Sequence, residues 1–393
     1  MSARSMLGSL SLLVGSLGLM LVAAEFAVRT LAPQPVDFRA AVVIEPGDEL
    51  SPQARLRRAG ATSEEIDRTL AASGRGPHLP FEHLRVTGVD VRINSRGWRD
   101  VEAEPARAPG NFRALVLGDS VVFGYGVELT QTFHKRAQVL LSASAHGRDV
   151  EVLGFSRLGQ TLYETEAILP LLLDFYKPDA VVIALNLNDV LERPPPGQDL
   201  PLSPWLRAIR RLRFTADGVF YAHSHLYFLV RDRAKRLLFQ LGYSPGEMIR
   251  LAALHPDDPA SRRAFDETLA SLAHIVEASR ARRVLPVALW LPVDPQLGPE
   301  HASLWRDRYR LDFSDSFAEG RPQDLFQRWA LEHHVPSVEP LPDLREAARR
   351  GEGPFFFREA GSASDWNHPN AAGHERIGRM LAQRLQEAFP ELR

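Results

Sequence analysis

Cysteine is absent from the 393 residues of this chain. Disulfides, thiol nucleophiles and cysteine-held metal sites are therefore excluded together. Such a chain is compatible with an oxidising compartment. The sequence also lacks a strong charge of either sign. Its 47 Lys and Arg against 49 Asp and Glu leave a formal net charge of −2. That balance gives no electrostatic case for nucleic acid as a partner. No internal repeat is present, and no glycine-rich phosphate loop precedes a Lys-Ser or Lys-Thr pair. Close histidine pairs occur at His223/His225 and His333/His334, neither with a third ligand at a recognisable spacing, so no metal and no cofactor is expected. What remains is ordinary for a globular protein, with 45% hydrophobic and 24% charged residues. The length suits one large α/β domain with appendages, or two smaller domains.

Two distant runs carry chemistry. The first is Val116-Leu117-Gly118-Asp119-Ser120-Val121-Val122-Phe123-Gly124-Tyr125-Gly126. An apolar strand that ends in a small residue, a carboxylate and a serine, followed by glycines, puts a hydroxyl at a strand-to-helix turn. The second is Asp365-Trp366-Asn367-His368, a carboxylate three residues before a histidine. Together they offer a nucleophile, an orienting group and a base in the chain order Ser, Asp, His. A serine hydroxyl is a poor nucleophile at neutral pH and needs such a base within hydrogen-bond reach. No Gly-x-Ser-x-Gly surrounds Ser120, which argues against the α/β-hydrolase fold. Between the two runs lie Gly154-Phe155-Ser156-Arg157-Leu158-Gly159 and Asn186-Leu187-Asn188-Asp189.

In this order the four runs resemble the four blocks of the SGNH, or GDSL-type, hydrolase family (esterases and lipases), in its membrane-anchored bacterial form. The resemblance implies Ser120 as nucleophile, His368 as general base and Asp365 as its carboxylate partner. It implies an oxyanion hole from the backbone N–H groups of Ser120 and Gly159 and the side-chain amide of Asn188. Losing one such donor costs about 3–4 kcal/mol of transition-state stabilisation. Two departures stand out: Asn186 replaces the usual glycine of the third block, and Gly154 the usual asparagine of the second. Asp119 and Asp189 are expected to tie down loop backbone.

Short apolar runs predict strands at Phe112–Leu117, Val150–Leu153, Ala180–Leu185, Val284–Leu291 and, more weakly, Val335–Val338. Helical patterns lie between them at Thr132–Ser144, Leu162–Phe175, Ala264–Ser279 and Leu325–Glu332. This alternation predicts an α/β protein, a flavodoxin-like three-layer α/β/α arrangement around a parallel five-stranded sheet, which the resemblance names the SGNH hydrolase fold. Ser120, Gly159 and Asn188 each follow a strand and so share the carboxyl rim of the sheet. His368 is expected on the loop before the last helix, with Pro369 near that helix's first turn.

The N-terminus carries a further signal. Ser5 to Ala24 is uncharged, with Arg4 before it and Glu25 and Arg29 after it. Twenty residues at 1.5 Å rise span about 30 Å, the thickness of a bilayer core. An uncleaved transmembrane anchor is favoured over a signal peptide cut after Val22-Ala23-Ala24. The charge bias points the catalytic domain to the periplasm or exterior of the cytoplasmic membrane. The expected organisation is an anchor at 1–30, a connector at 31–108 with a helix at Ser63–Ala72 and a hairpin within Phe81–Trp98, and the hydrolase domain at 109–393. A helical insertion at about 193–261 contributes basic amphipathic helices at Trp205–Phe214, with Arg207, Arg210, Arg211 and Arg213, and at Leu226–Leu241. The stretch Asn94–Asp100 resembles one that often precedes the first block in anchored members. Three functions fit: an ester hydrolase acting through an acyl-Ser120 intermediate on an O-acyl ester of an envelope carbohydrate, lipid or small molecule, an O-acyltransferase with the same triad, and a non-catalytic binding module.

Overall fold

The computed structural model describes residues 3–34, 76, 78, 81, 83–86, 89–105, 107–190, 220, 223–240, 254, 255, 257–309, 313–359, 362, 363 and 365–393. The expected helices at Ser63–Ala72 and Trp205–Phe214, with the arginines of the latter, lie outside the described residues.

An antiparallel hairpin, β1 (His83–Val86) and β2 (Val89–Arg92), precedes the main sheet. That sheet is built from β3 (Phe112–Gly118), β4 (Val150–Ser156), β5 (Ala180–Leu185), β6 (Leu285–Trp290) and β7 (Ser337–Val338). All neighbours are parallel, in the order β4-β3-β5-β6-β7. A two-residue ribbon, β8 (Arg358–Glu359) with β9 (Ser362–Ala363), comes last.

Alternation along β3 explains the layers, because successive side chains of a strand point to opposite faces. Phe112, Ala114 and Val116 pack with Phe133, Ala137 and Leu141 of the helix Phe133–Ser144 and with Ile377, Leu381 and Leu385 of the helix Ala371–Ala388. Leu115 and Leu117 face Leu169, Leu172 and Leu173 of the helix Leu162–Tyr176, and beyond them Phe265 and Leu272 of the helix Pro259–Ala281. Both faces are covered, so β3 and β5 are buried along their whole length; β5 reads as an unbroken apolar run, and β3 is interrupted only by the buried Arg113.

The predicted strands and helices fall within a few residues of the observed ones. The helices Pro299–Tyr309 and Leu341–Arg349 were not anticipated. One helix start is corrected. The last helix begins at Ala371, capped by the Asn370 side chain, which accepts from the N–H groups of Ala372 and Gly373. Pro369 lies outside it, bridged to Phe356.

The N-terminal helix Ala3–Leu31 is long and apolar enough to cross a membrane, and its residues Leu12–Leu31 are not buried by the rest of the chain.

Candidate active site

The first block is shaped by close approach. β3 ends at Gly118, where a Cβ would lie 2.6 Å from Val122 Cγ2 and 2.9 Å from the Ala184 carbonyl. Only glycine lets β3 run against β5 and turn straight into the short helix Ser120–Phe123. Asp119 caps that helix, its Oδ1 accepting from the Val121 N–H at 2.9 Å. Gly124 closes it in the left-handed region at φ 80°, and the chain turns back through Tyr125. Ser120 thus stands half-buried at the carboxyl end of β3, beside the place where strand order reverses between β3 and β5.

The second half of the site comes from the loop before the last helix. Asp365 Oδ1 accepts from the backbone N–H of Asn367 and of His368, at 3.3 and 3.2 Å, and curls the loop around its own carboxylate. Asp365 Oδ2 lies 2.8 Å from His368 Nδ1, and His368 Nε2 lies 2.8 Å from Ser120 Oγ. With the proton on Nδ1, the ring donates to Asp365 and accepts from the serine hydroxyl. The Tyr125 ring stacks on the imidazole at 4.2 Å between centroids.

Electrostatics favour a basic His368. Burial pulls its pKa down, but the charge and hydrogen bond of Asp365, with the charge of Asp119, more than offset this and hold it above 6.5. Asp119 is driven the other way by burial, which raises its carboxyl above the usual value against the Val121 N–H, His368 and Asn188.

Asn188 follows β5 and is buried; its Nδ2 donates to Asp119 Oδ2 at 3.3 Å. Asp189 Oδ2 accepts from the Asn186 N–H at 2.8 Å. Both aspartates therefore hold loop backbone, as their positions suggested. Gly159 sits on the turn after β4, three residues beyond Ser156, which pairs with Gly118. Ser120, Gly159 and Asn188 thus occupy one rim. Asn186, the departure in the third block, is fully buried, and neither side-chain atom finds a partner among the described residues.

Three supporting contacts were not read from the sequence, although the hairpin that makes one of them was expected. Arg99 is buried and donates to the carbonyls of Phe123, Gly124 and Val127 at 2.6–2.7 Å, clamping the turn that carries Tyr125. The β1–β2 hairpin packs Val86 and Val91 against Phe123 beneath the same turn. Asp294, just past β6, donates its N–H to the Trp366 carbonyl at 2.7 Å, and its carboxylate engages His301 and Trp305. A carboxylate so soon after a strand end was the available signal for the last of these. Among the described residues, no group of three or more His, Asp or Glu is arranged to hold a metal ion.

An arylesterase of Vibrio mimicus is 37% identical over 91 residues, 23% of this chain and 44% of the relative, so the chain spans less than half the length of that relative. Among solved structures, an acetylxylan esterase from Geobacillus stearothermophilus is 15% identical with a TM-score of 0.39, covering 70% of this chain and 95% of the other. A psychrotrophic esterase from Pseudoalteromonas sp. is 13% identical with a TM-score of 0.36, covering 71% of this chain and all of the other. The profile of the GDSL-like lipase/acylhydrolase family matches residues 116–376, from the strand before Ser120 into the helix after His368. That match spans well over half of the sequence, and the chain belongs to the GDSL-like lipase/acylhydrolase family.

Proposed function

We propose that the protein is a serine ester hydrolase that works through an acyl-Ser120 intermediate. The observation that carries this reading is the unbroken relay from Asp365 through His368 to Ser120, 2.8 Å at each step. His368 takes the Ser120 proton through Nε2 as Oγ attacks the ester carbonyl, and Asp365 stabilises the imidazolium that forms. The oxyanion is received by the N–H groups of Ser120 and Gly159 and the Asn188 amide. His368 then returns the proton to the leaving alkoxide, and a water activated by the same ring releases the acid. An O-acyl ester of an envelope carbohydrate, lipid or small molecule suits a catalytic domain tethered by a membrane helix. The N-terminal helix is an uncleaved anchor, with the catalytic domain outside the cytoplasmic membrane. Support comes from the helix itself, which runs unbroken past Val22-Ala23-Ala24 to Leu31.

The test is release of p-nitrophenol from acetate, butyrate and octanoate esters by the full-length chain in detergent. Ser120→Ala is expected to lower kcat by about 10⁴-fold or more at an unchanged melting temperature. Equal turnover by both proteins overturns the reading. Acyl transfer to an added oligosaccharide that outruns hydrolysis assigns the acyl-enzyme to transfer instead. Recovery of the intact, uncut chain in the carbonate-soluble fraction overturns the anchor.

A further inference from the structure

The N-terminal helix is fastened at its far end. Glu25 accepts from Ser224 Oγ at 2.7 Å and from the backbone N–H groups of His225 and Leu226 at 3.0 and 2.8 Å. It thereby caps the helix His225–Gln240 from 200 residues away. Arg29 bonds Glu25 and also donates to the His223 carbonyl at 3.0 Å. The Gln34 N–H donates to His225 Nδ1 at 2.8 Å. One helix end is thus tied to the start of the other on both sides of the cap.

A spanning helix fixes the position of whatever is tied to its end. The uncharged stretch Ser5–Ala24 stops one residue before Glu25, which puts the cap at the hydrocarbon boundary. The helix His225–Gln240 therefore starts at the bilayer surface. Its inner side carries Phe228, buried to 2% exposure. Its outer side carries Val230, Arg233, Ala234 and Leu237, all exposed and within about 100° of one another around the axis. Val230 and Leu237 are more than half exposed, and Phe220 just before the helix is half exposed. Two large apolar residues flanking an arginine on one open face form the pattern of a helix lying in a membrane interface.

We propose that the helix His225–Gln240 is a membrane-surface helix. Val230, Leu237 and Phe220 reach the acyl-chain boundary of an anionic leaflet, and Arg233 meets its headgroups. The inference rests on the reading of the N-terminal helix as an uncleaved anchor. It carries a consequence for the substrate. The helix His225–Gln240 packs on the helix Pro299–Tyr309, which packs on the turn Asp294–Gln296. That turn is hydrogen-bonded to Trp366, between Asp365 and His368. The catalytic loop is thus linked to the surface helix through one intervening helix and a turn, and the site is held close to the leaflet, where it meets esters carried by amphiphiles.

The absence of native cysteine allows a clean test. Single cysteines replace Leu12, Val139, Val230 or Leu237 in the full-length chain, are labelled with bimane, and are reconstituted in nanodiscs of phosphatidylglycerol and phosphatidylcholine with brominated acyl chains. Labels at 230 and 237 are expected to lose most of their emission in the brominated discs, as is the label at 12, while the label at 139 keeps its emission. Adding Glu25→Ala is expected to restore emission at 230 but not at 12. Quenching at 12 with none at 230 and 237 overturns the surface helix and leaves the anchor standing. No quenching at 12 overturns the anchor itself. A blue-shifted but unquenched label at 230 means that protein, not lipid, covers this face, and overturns the proposal. Equal quenching at 139 and 230 does the same.

Discussion

The His368–Asp365 and His134–Asp100 pairs share one chemistry and have opposite fates. His368 and Asp365 are 2.8 Å apart, 16% and 19% exposed, and a serine hydroxyl meets the free side of the ring. His134 Nε2 and Asp100 Oδ2 are 3.3 Å apart and sealed, 1% and 3% exposed. Asp100 shares its carboxylate with Lys135 Nζ at 2.5 Å and with the Gly154 N–H at 2.6 Å. Burial lowers the pKa of both histidines when taken alone. It loses to Asp365 and Asp119 around His368, and it wins around His134, where Lys135 and Arg99 oppose a second cation. The proposed role of His368 as base is supported by a carboxylate on one ring nitrogen and a hydroxyl on the other, whereas the Asp100 carboxylate is already shared with Lys135.

The largest effect on this comparison comes from Asp365→Asn. It removes the charge that holds the His368 pKa up and the acceptor that selects its tautomer. kcat/KM is expected to fall about 10²–10⁴-fold. In the proposed mechanism the free protein reacts with His368 neutral, so the acid limb of the pH profile is expected to follow the His368 pKa. With Asp365 uncharged, burial dominates, that pKa falls, and the limb moves to lower pH while the plateau drops. A pH–rate profile of both proteins checks this. A limb that stays in place would mean that another group controls it.

Asp100→Asn probes the other pair. It leaves the Lys135 ammonium buried beside a neutral amide, with Gln138 and the Val152 carbonyl as its remaining partners. A loss of about 3–5 kcal/mol in stability is expected, measured by urea unfolding. Turnover per folded molecule is expected to stay within a few-fold. Burial raises the Asp100 carboxyl, but Lys135 and His134 together bring it below 3.8. Its stabilisation is therefore present above pH 3.8 and is lost as pH falls further. A large drop in turnover with stability intact would move Asp100 from support to chemistry.

These pairs also separate what could be read in the sequence from what could not. Asp365 and His368 are three residues apart, and Ser120 ends an apolar run at a glycine. Both are local patterns, and local patterns survive without coordinates. The strands were legible because burial on both faces leaves mostly apolar runs, clearest in β5 and weakest in the two-residue β7. Asp100, His134 and Lys135 were not legible, because nothing local marks a charge that finds its partner across the fold. The Glu25 cap, 200 residues from its helix, was hidden for the same reason. The helix Pro299–Tyr309 escaped notice because charged residues dilute its apolar stripe. Pro369 was expected near the first turn of the last helix, and it lies just before the Asn370 cap instead. A proline before the helix and an asparagine capping it give nearly the same pattern.

The smallest expected effect belongs to His374, one helix turn past Asn370. Its Nδ1 accepts from the Phe133 N–H at 3.1 Å, and its ring lies parallel to that of Phe133. Burial, reinforced by His134, Arg99 and His368, pulls its pKa from 6.5 to about 3. Between those values the unfolded chain binds a proton that the folded one refuses. The stabilisation from a neutral His374 is thus complete above pH 6.5 and is lost as pH falls, with a slope of up to about 1.4 kcal/mol per pH unit. His368 has the opposite sign: its raised pKa gives stability that is complete below pH 6.5 and is lost as pH rises through the folded value. His374→Gln retains a side-chain acceptor for the Phe133 N–H and titrates nowhere in this range. It is expected to cost about 1 kcal/mol at pH 8, and to match or exceed the parent near pH 5. Urea unfolding across pH 5–8 reads this directly. Curves that converge toward acid place a refused proton at His374. Parallel curves would assign the acid loss to His134 instead, the buried member of the sealed pair.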